Sequence, residues 1–176
     1  MSRSMAPLSL AALILVGSVS VASAAEVSRT DVQSAAGMCR AATTEYAAGV
    51  RNRPLGVANI SSEDVYVTCA WQGDDSQSSV RGATLVAVQA ANESSEQAQA
   101  LDCTLVNGQA SSGVAYATYT PKSVEIAPVA GAVLQWLPAE VANAGPTIKL
   151  PALSCRLSPG MSLQFMTRVY NENVGN

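Results

Sequence analysis

The chain has 176 residues, of which ten are Lys or Arg, thirteen are Asp or Glu and none is His, for a formal net charge of −3. The lack of histidine excludes catalytic triads, metal sites and proton shuttles that are built on an imidazole. Because the basic residues form no run or stripe, we also expect no nucleic-acid partner.

The first 24 residues are typical of a cleaved signal peptide. A basic Arg3 precedes an apolar stretch over 8–21, and the small residues Ala22-Ser23-Ala24 follow it. An uncleaved anchor is the alternative, but this stretch is shorter than the ~20 apolar residues that span a bilayer. We predict cleavage after Ala24, or one residue later after Ala25, and a single mature domain over 25–176. That domain should be secreted or periplasmic, with no membrane association after cleavage.

Four cysteines remain in the predicted mature domain, namely Cys39, Cys69, Cys103 and Cys155. An even number of cysteines in an exported protein favours disulfides. Of the pairings that are open to them, we favour the sequential one, Cys39–Cys69 with Cys103–Cys155. A four-thiolate zinc site is the competing interpretation. It usually needs cysteines about two to four residues apart, and no such pair occurs here.

The first predicted element in chain order is a helix over about 30–47, because Thr30-Asp31-Val32-Gln33 matches a capping box. Gly37 and Thr43-Thr44 weaken that helix, and its apolar face is mostly alanine. From Gly56 onward the hydrophobic pattern changes to the period of two that marks β-strands. The predicted strands cover 64–72, 82–91, 101–105, 114–120, 124–126, 132–137, 152–157 and 162–171.

Turn residues separate these strands. Asn107-Gly108 is a strong turn dipeptide, Pro121 ends the strand before it, and Ser158-Pro159-Gly160 predicts a hairpin between the last two strands. In the last strand, alternate residues share one face, namely Leu163, Phe165, Thr167 and Val169. About seven or eight short strands with frequent turns predict an all-β fold. We expect an antiparallel β-sandwich of Ig-like or jelly-roll-like type, more than a closed barrel, with a short N-terminal helix as an option.

No motif identifies a catalytic or metal site. Asp74-Asp75 in a Ser-rich segment could ligate calcium, but the spacing matches no calcium loop and a solvated loop is favoured. Paired carboxylates can hydrolyse glycosides without histidine, yet nothing in the sequence selects a pair. A Ser/Lys nucleophile pair would need Lys122 or Lys149, and neither lies in a Ser-x-x-Lys arrangement. We therefore expect no catalytic residue, no cofactor and no metal.

Aromatic residues are the candidates for a platform that stacks against sugar rings. The members of this set are Trp71, Trp136, Tyr116 and Tyr119. Trp71 shares a predicted strand face with Cys69, which favours a place in the core near a disulfide. Tyr116 and Tyr119 lie on opposite faces of one predicted strand, so we expect at most one of them to be exposed.

Five short motifs occur in a familiar order, namely Cys39-Arg40-Ala41, Gly49-Val50-Arg51-Asn52, Val67-Thr68-Cys69, Cys103-Thr104-Leu105 and Leu153-Ser154-Cys155-Arg156-Leu157-Ser158-Pro159-Gly160. Over residues 39–170 the sequence resembles a group of small exported bacterial proteins of unknown function. It departs from their pattern at Ala70, where we would expect a proline, and in a longer step over 52–63. The resemblance implies a disulfide-bearing β-domain and brings no activity and no catalytic residue.

Two further motifs have local structural interpretations. In Gly49-Val50-Arg51-Asn52 the glycine and asparagine tolerate turn geometry, and we expect Arg51 to brace backbone carbonyls or a carboxylate. Asn59-Ile60-Ser61 and Asn92-Glu93-Ser94 fit the N-glycosylation acceptor, a tripeptide that is common by chance.

The sequence favours a non-enzymatic exported β-sandwich with a binding or structural role, whose ligand would be a glycan or a surface protein. The first alternative is a carbohydrate-binding module or a histidine-free glycoside hydrolase. It requires an exposed aromatic row or two acids about 5–9.5 Å apart in a groove. The second is an adhesive pilus-type subunit completed by a neighbour's strand. Such subunits tend to carry an aromatic residue almost at the C-terminus, and Tyr170 lies further from the end than that.

Overall fold

The computed structural model describes residues 25–71, 82–94, 96–111 and 114–174, and the side chains of all of these except 109–115 and 173. The signal peptide predicted over 1–24 and the Asp74-Asp75 loop lie outside the described residues. Within these ranges the strands are β1 Glu26–Ser34, β2 Cys39–Ala41, β3 Val50–Arg53, β4 Gly56–Asn59, β5 Val65–Ala70, β6 Ala83–Asn92, β7 Gln99–Ser111, β8 Val114–Ile126, β9 Ala130–Trp136, β10 Leu150–Leu157 and β11 Met161–Asn173. One helix, α1 (Ala35–Met38), and two 3-10 turns at Ala47–Gly49 and Pro138–Glu140 complete the described elements. No helix in the described part of the chain is both long and apolar enough to cross a membrane.

The strands form two antiparallel sheets. Sheet A has the order β3-β4-β11-β6-β9, with β1 also paired to β11, and sheet B has the order β2-β5-β10-β7-β8. In β5, alternate residues point between the sheets, with Val65 and Val67 buried and Tyr66 exposed. The inner faces share one core, to which sheet B contributes Leu105 and sheet A contributes Leu163. The all-β, antiparallel sandwich is therefore confirmed, with more strands than the sequence predicted.

The helix predicted over 30–47 is wrong for most of its length. Residues 26–34 form β1 instead, which pairs with β11 from Glu26 opposite Asn173 to Ser34 opposite Phe165. An ion pair from Arg168 to Asp31 joins the two strands, with 3.2 Å between Nε and Oδ2. The helix begins only after Ser34, whose hydroxyl accepts a hydrogen bond from the amide of Ala36. Pairing with a strand distant in sequence thus overrides the local capping pattern.

Two predicted turn signals lie inside strands. Pro121 does not end a strand, because β8 continues through it and pairs with β7 as far as Ile126. A proline is tolerated there because β8 is the last strand of its sheet. Asn107-Gly108 lies within β7, and the buried Asn107 side chain accepts a hydrogen bond from the amide of Lys149 at 3.0 Å. Pairing with the preceding strand β7 carries β8 past Pro121, and pairing with the distant β10 carries β7 past Asn107-Gly108.

The predicted hairpin at Ser158-Pro159-Gly160 is also wrong. β10 belongs to sheet B and β11 to sheet A, so these residues connect the two sheets. Gly160 has a φ of +78°, a left-handed conformation that favours glycine. In β11, a register shift between Leu163 and Phe165 breaks the expected alternation. Because of this bulge, both Leu163 and Met166 are buried in the core.

Two disulfides link neighbouring strands of sheet B. Cys39–Cys69 joins β2 to β5 and Cys103–Cys155 joins β7 to β10, with S–S distances of 2.04 Å and 2.12 Å. In both bridges the two cysteines lie directly opposite each other in the strand register, and their side chains face the core. The structure therefore confirms disulfides, with the sequential pairing. Bridges of this kind are compatible with an oxidising compartment outside the cytoplasm.

Buried asparagines close one end of the sandwich. Asn59, 2% exposed, donates from Nδ2 to the carbonyls of Glu63 and Leu157 and accepts from the amide and hydroxyl of Ser61. Asn92, 1% exposed, makes a similar set of bonds at the end of β6. Both Asn-x-Ser tripeptides are thus turn-forming structures whose amide nitrogens are engaged inside the fold.

The outer edges of the two sheets meet at β8 and β9. The Trp136 indole N–H donates to the carbonyl of Thr120 at 3.0 Å, and Lys122 Nζ donates to the carbonyl of Gln135 at 2.7 Å. Lys122 also binds Glu140 and lowers the pKa of that carboxyl, chiefly through a hydrogen bond. Side chains therefore cover two strand edges that would otherwise offer unpaired backbone groups.

Candidate functional site

A shallow groove of about 550 Å³ runs across the outer face of sheet B. Outward-facing residues of three neighbouring strands form its floor, namely Thr68, Ala70, Val106, Ala152 and Ser154. Gly37 and Met38 of α1 line one end together with Arg40 of β2. Because all the floor side chains are short, a flat ligand can approach the sheet closely.

Exposed tyrosines border this groove. Tyr119 lies opposite Val106 on β8 and is 67% exposed. Tyr66 lies on β5, two residues from Thr68 on the same face, and its ring packs 5.5 Å from that of Tyr46. From strand spacing and rise, Tyr66 and Tyr119 are about 20 Å apart on a diagonal across the groove. The face therefore presents two aromatic rings separated by short polar and apolar side chains.

The expectation that at most one of Tyr116 and Tyr119 is exposed is wrong. Tyr116 is 61% exposed although it lies on the opposite face of β8 from Tyr119. It pairs with Gln109 near the N-terminal end of β8. Strand alternation therefore places the two rings on opposite faces without burying either of them.

Neither tryptophan belongs to this surface. Trp71 is buried beside the core cluster that contains Cys69, as the sequence predicted. Trp136 is fully buried on the inner face of β9. Of the four aromatic candidates, Tyr119 alone borders the groove, and the sequence prediction missed Tyr66. Its position between Val65 and Val67 in an alternating strand is the signal that marks it as outward-facing.

A row of polar residues crosses the sheet beside the groove. Arg156 of β10 lies opposite Tyr66 on one side and Asp102 of β7 on the other. Its guanidinium donates to Asp102 and, at 2.9 Å, to Asp64 Oδ2. Hydrogen bonds from Ser123 and then Arg156 lower the pKa of Asp102, and the bond to Asp102 raises the pKa of Arg156. The two acids and the arginine therefore form a hydrogen-bonded charged cluster on this face.

The Gly49-Val50-Arg51-Asn52 motif lies away from the groove and is structural in part. A side chain at Gly49 would place Cβ 2.9 Å from Val65 Cγ1, so close packing explains the glycine. Arg51 is exposed on β3, and the described residues include no ion-pair or hydrogen-bond partner for it. No cluster of three metal-ligating side chains occurs in the described part of the chain.

No protein-family model matches this chain, and no curated protein matches it. Among solved structures it is similar to a family 11 carbohydrate-binding module from Clostridium thermocellum in complex with a β-1,3-1,4-mixed-linked tetrasaccharide. The TM-score is 0.41 and the identity 7%, over 82% of this chain and 86% of that one. It is also similar to CBM28, a non-crystalline cellulose specific carbohydrate-binding module, with a TM-score of 0.36 and 17% identity over 62% of this chain and 64% of that one. For TmCBM61 in complex with β-1,4-galactotriose the TM-score is 0.35 and the identity 10%, over 82% of this chain and 88% of that one. Overlaps at this level carry no information on what this chain binds.

Proposed function

We propose that this chain is an exported, non-catalytic domain that binds a glycan on the outer face of sheet B. The observation that carries the proposal is the exposed ring of Tyr119 beside a groove with a floor of short side chains. Aromatic rings stack well against the apolar faces of pyranose rings, and a flat floor lets a sugar lie along the sheet. Tyr66 offers a second ring on the same face.

Hydrogen-bonding groups accompany these rings. The hydroxyls of Thr68 and Ser154 line the groove, and Thr104 lies between Ser154 and Pro121 in the same row. A hydroxyl can donate as well as accept, which suits the hydroxyl groups of a sugar. Such short, fixed side chains lose little conformational entropy when a ligand binds.

The charged cluster favours binding over hydrolysis. Asp64 and Asp102 are the carboxylates that converge on this face, and both are bound to Arg156. A glycosidase needs a protonated carboxylic acid with a raised pKa beside the scissile bond. The pKa of Asp102 is instead lowered, so this residue is unsuited to donate a proton.

The pilus-type alternative fits less well, because β11 already has partners on both sides. β1 and β4 lie along one edge of this strand and β6 along the other. A donor strand from a neighbouring subunit would have to displace one of them.

We also propose that residues 1–24 direct export, that cleavage follows Ala24 or Ala25, and that a single domain over 25–176 binds the glycan.

The test compares two tyrosines that share a strand. Tyr119→Ala should weaken binding to the best ligand of a polysaccharide array by about tenfold, the loss of one aromatic contact of roughly 1–1.5 kcal/mol. Tyr116→Ala is the matched control, because Tyr116 is similarly exposed on the opposite face. Affinity gel electrophoresis or calorimetry gives both constants. Equal losses in the two variants, or no loss in either, would show that the glycan does not bind on this face.

A further inference from the structure

The geometry points to a glycan that carries carboxylates, held at Arg40; this inference rests on the proposed function and concerns the same site. Arg40 is exposed on β2 and forms no ion pair among the described residues. By contrast, Arg53 is bound to Glu93, and Arg156 is bound to Asp64 and Asp102. An arginine is suited to bind a carboxylate through two parallel hydrogen bonds.

Arg40 separates two adjoining depressions. One is the groove on sheet B, and the other, of about 650 Å³, lies on the loop that follows β2. Residues of that loop and of β3 line the second depression, namely Ala41, Ala42, Thr43, Thr44, Ala47, Val50 and Asn52. A chain-like ligand that leaves the groove beside Arg40 therefore continues into a second open surface.

The electrostatics of both depressions favour an anionic ligand. Their described lining residues include Arg40 and no Asp or Glu. On the outer face of sheet B, Asp64 and Asp102 lie on the far side of the floor, where both bind Arg156 and not Arg40. Arg40 therefore places an unpaired positive charge between the two depressions of a protein whose net charge is −3.

Two polysaccharides in two forms provide the test, namely polygalacturonate and alginate, each with free and with methyl-esterified carboxyl groups. Esterification removes the charge and leaves the sugar backbone unchanged. We expect at least one acidic polymer to bind about fivefold more tightly than its ester, which corresponds to an exposed ion pair of about 1 kcal/mol. Added salt should reduce this preference, because it screens exposed charges.

Arg40→Gln should remove the preference for the free acid while binding of the ester is unchanged. Arg53→Gln is the matched control, since it removes an exposed arginine that already has a partner and lies outside both depressions. Equal binding of acid and ester by the native protein, or a preference that survives Arg40→Gln, would overturn the inference. In that outcome a loss of ester binding in Tyr119→Ala would still support glycan binding on this face. Failure of both polymers in both forms also overturns the inference, and the wider array then tests the proposed function separately.

Discussion

Asn59 is expected to be one of the most sensitive positions outside the apolar core. Replacing it with alanine removes two donated and two accepted hydrogen bonds, with donor–acceptor distances of 2.7–2.8 Å. The carbonyl of Leu157 would lose its Asn59 donor in a buried environment, which costs about 1–3 kcal/mol, and the remaining bonds contribute about 1 kcal/mol more. We therefore expect Asn59→Ala to lower the free energy of unfolding by about 2–4 kcal/mol.

Urea unfolding with the disulfides intact measures this loss. A fall of about 3 kcal/mol should lower the melting temperature by roughly 6–12 °C for a domain of this size. Asn52→Ala is the control, because Asn52 is exposed on β3 and its replacement should change stability by less than about 0.5 kcal/mol. If Asn59→Ala unfolds at the same urea concentration as Asn52→Ala, the hydrogen bonds of Asn59 do not stabilise the fold to this extent.

Three further predictions concern charge, crosslinks and processing. The pKa of Asp102 is lower in the folded state than in the unfolded state, where it is about 3.9. Its carboxylate therefore stabilises the fold at pH values above about 3.9, and this contribution is lost as the pH falls through the pKa of the folded state. Asp102→Asn should therefore lose less stability than the native protein between pH 6 and pH 3 in urea unfolding, and an equal loss would contradict it. Replacing both Cys103 and Cys155 with serine opens a loop with a sequence separation of 52 and should cost about 4 kcal/mol, measured in the same assay, whereas a loss below about 1 kcal/mol would argue against this effect. Intact mass spectrometry of the exported protein should give a chain that begins at Ala25 or Glu26 and has no alkylatable thiol without reductant; a mass that retains residues 1–24 would refute the predicted cleavage.

The sequence predicted those features of the fold that depend on local alternation. The inward face of β5, the burial of Trp71 and the all-β class all follow from a period of two in the hydrophobic pattern. Export and the cysteine spacing also favour disulfides over a zinc site. The sequential pairing that the sequence favours is the one in the structure.

Features that depend on pairing between distant segments could not be predicted from one sequence. The capping box at Thr30 has the local signature of a helix, and only its partner strand β11 makes this segment a strand. Likewise, Asn107-Gly108 has the composition of a turn, and pairing with the distant β10 places it inside β7. Pro121 differs, because β8 pairs with β7, the preceding strand in the chain. Strand registers decide these cases, and registers are set by tertiary structure.

The candidate site also combines features that the local sequence predicts with features that only the tertiary structure shows. Tyr119 was among the candidates because it is an aromatic residue in a strand, but its exposure depends on how far β8 extends along the sheet edge. The groove itself has no sequence signature, because its floor is made of threonine, alanine, valine and serine from three strands. Only the assembled sheet brings Arg40 and Tyr119 to the same face.

The pairing of β1 with β11 also determines how the domain would respond to mechanical force. Glu26 lies opposite Asn173, so the two ends of the described domain lie side by side at one end of the β1–β11 pair. Tension applied between those ends would break the hydrogen bonds between β1 and β11 one after another, because these bonds run perpendicular to the strands. Such peeling could proceed from the N-terminal side to Cys39 and from the C-terminal side to Cys155. There the bridges pass the load directly to Cys69 and Cys103, so the segments 40–68 and 104–154 are shielded from it. The domain would therefore yield first at its outermost strand, while most of sheet B lies within the shielded segments.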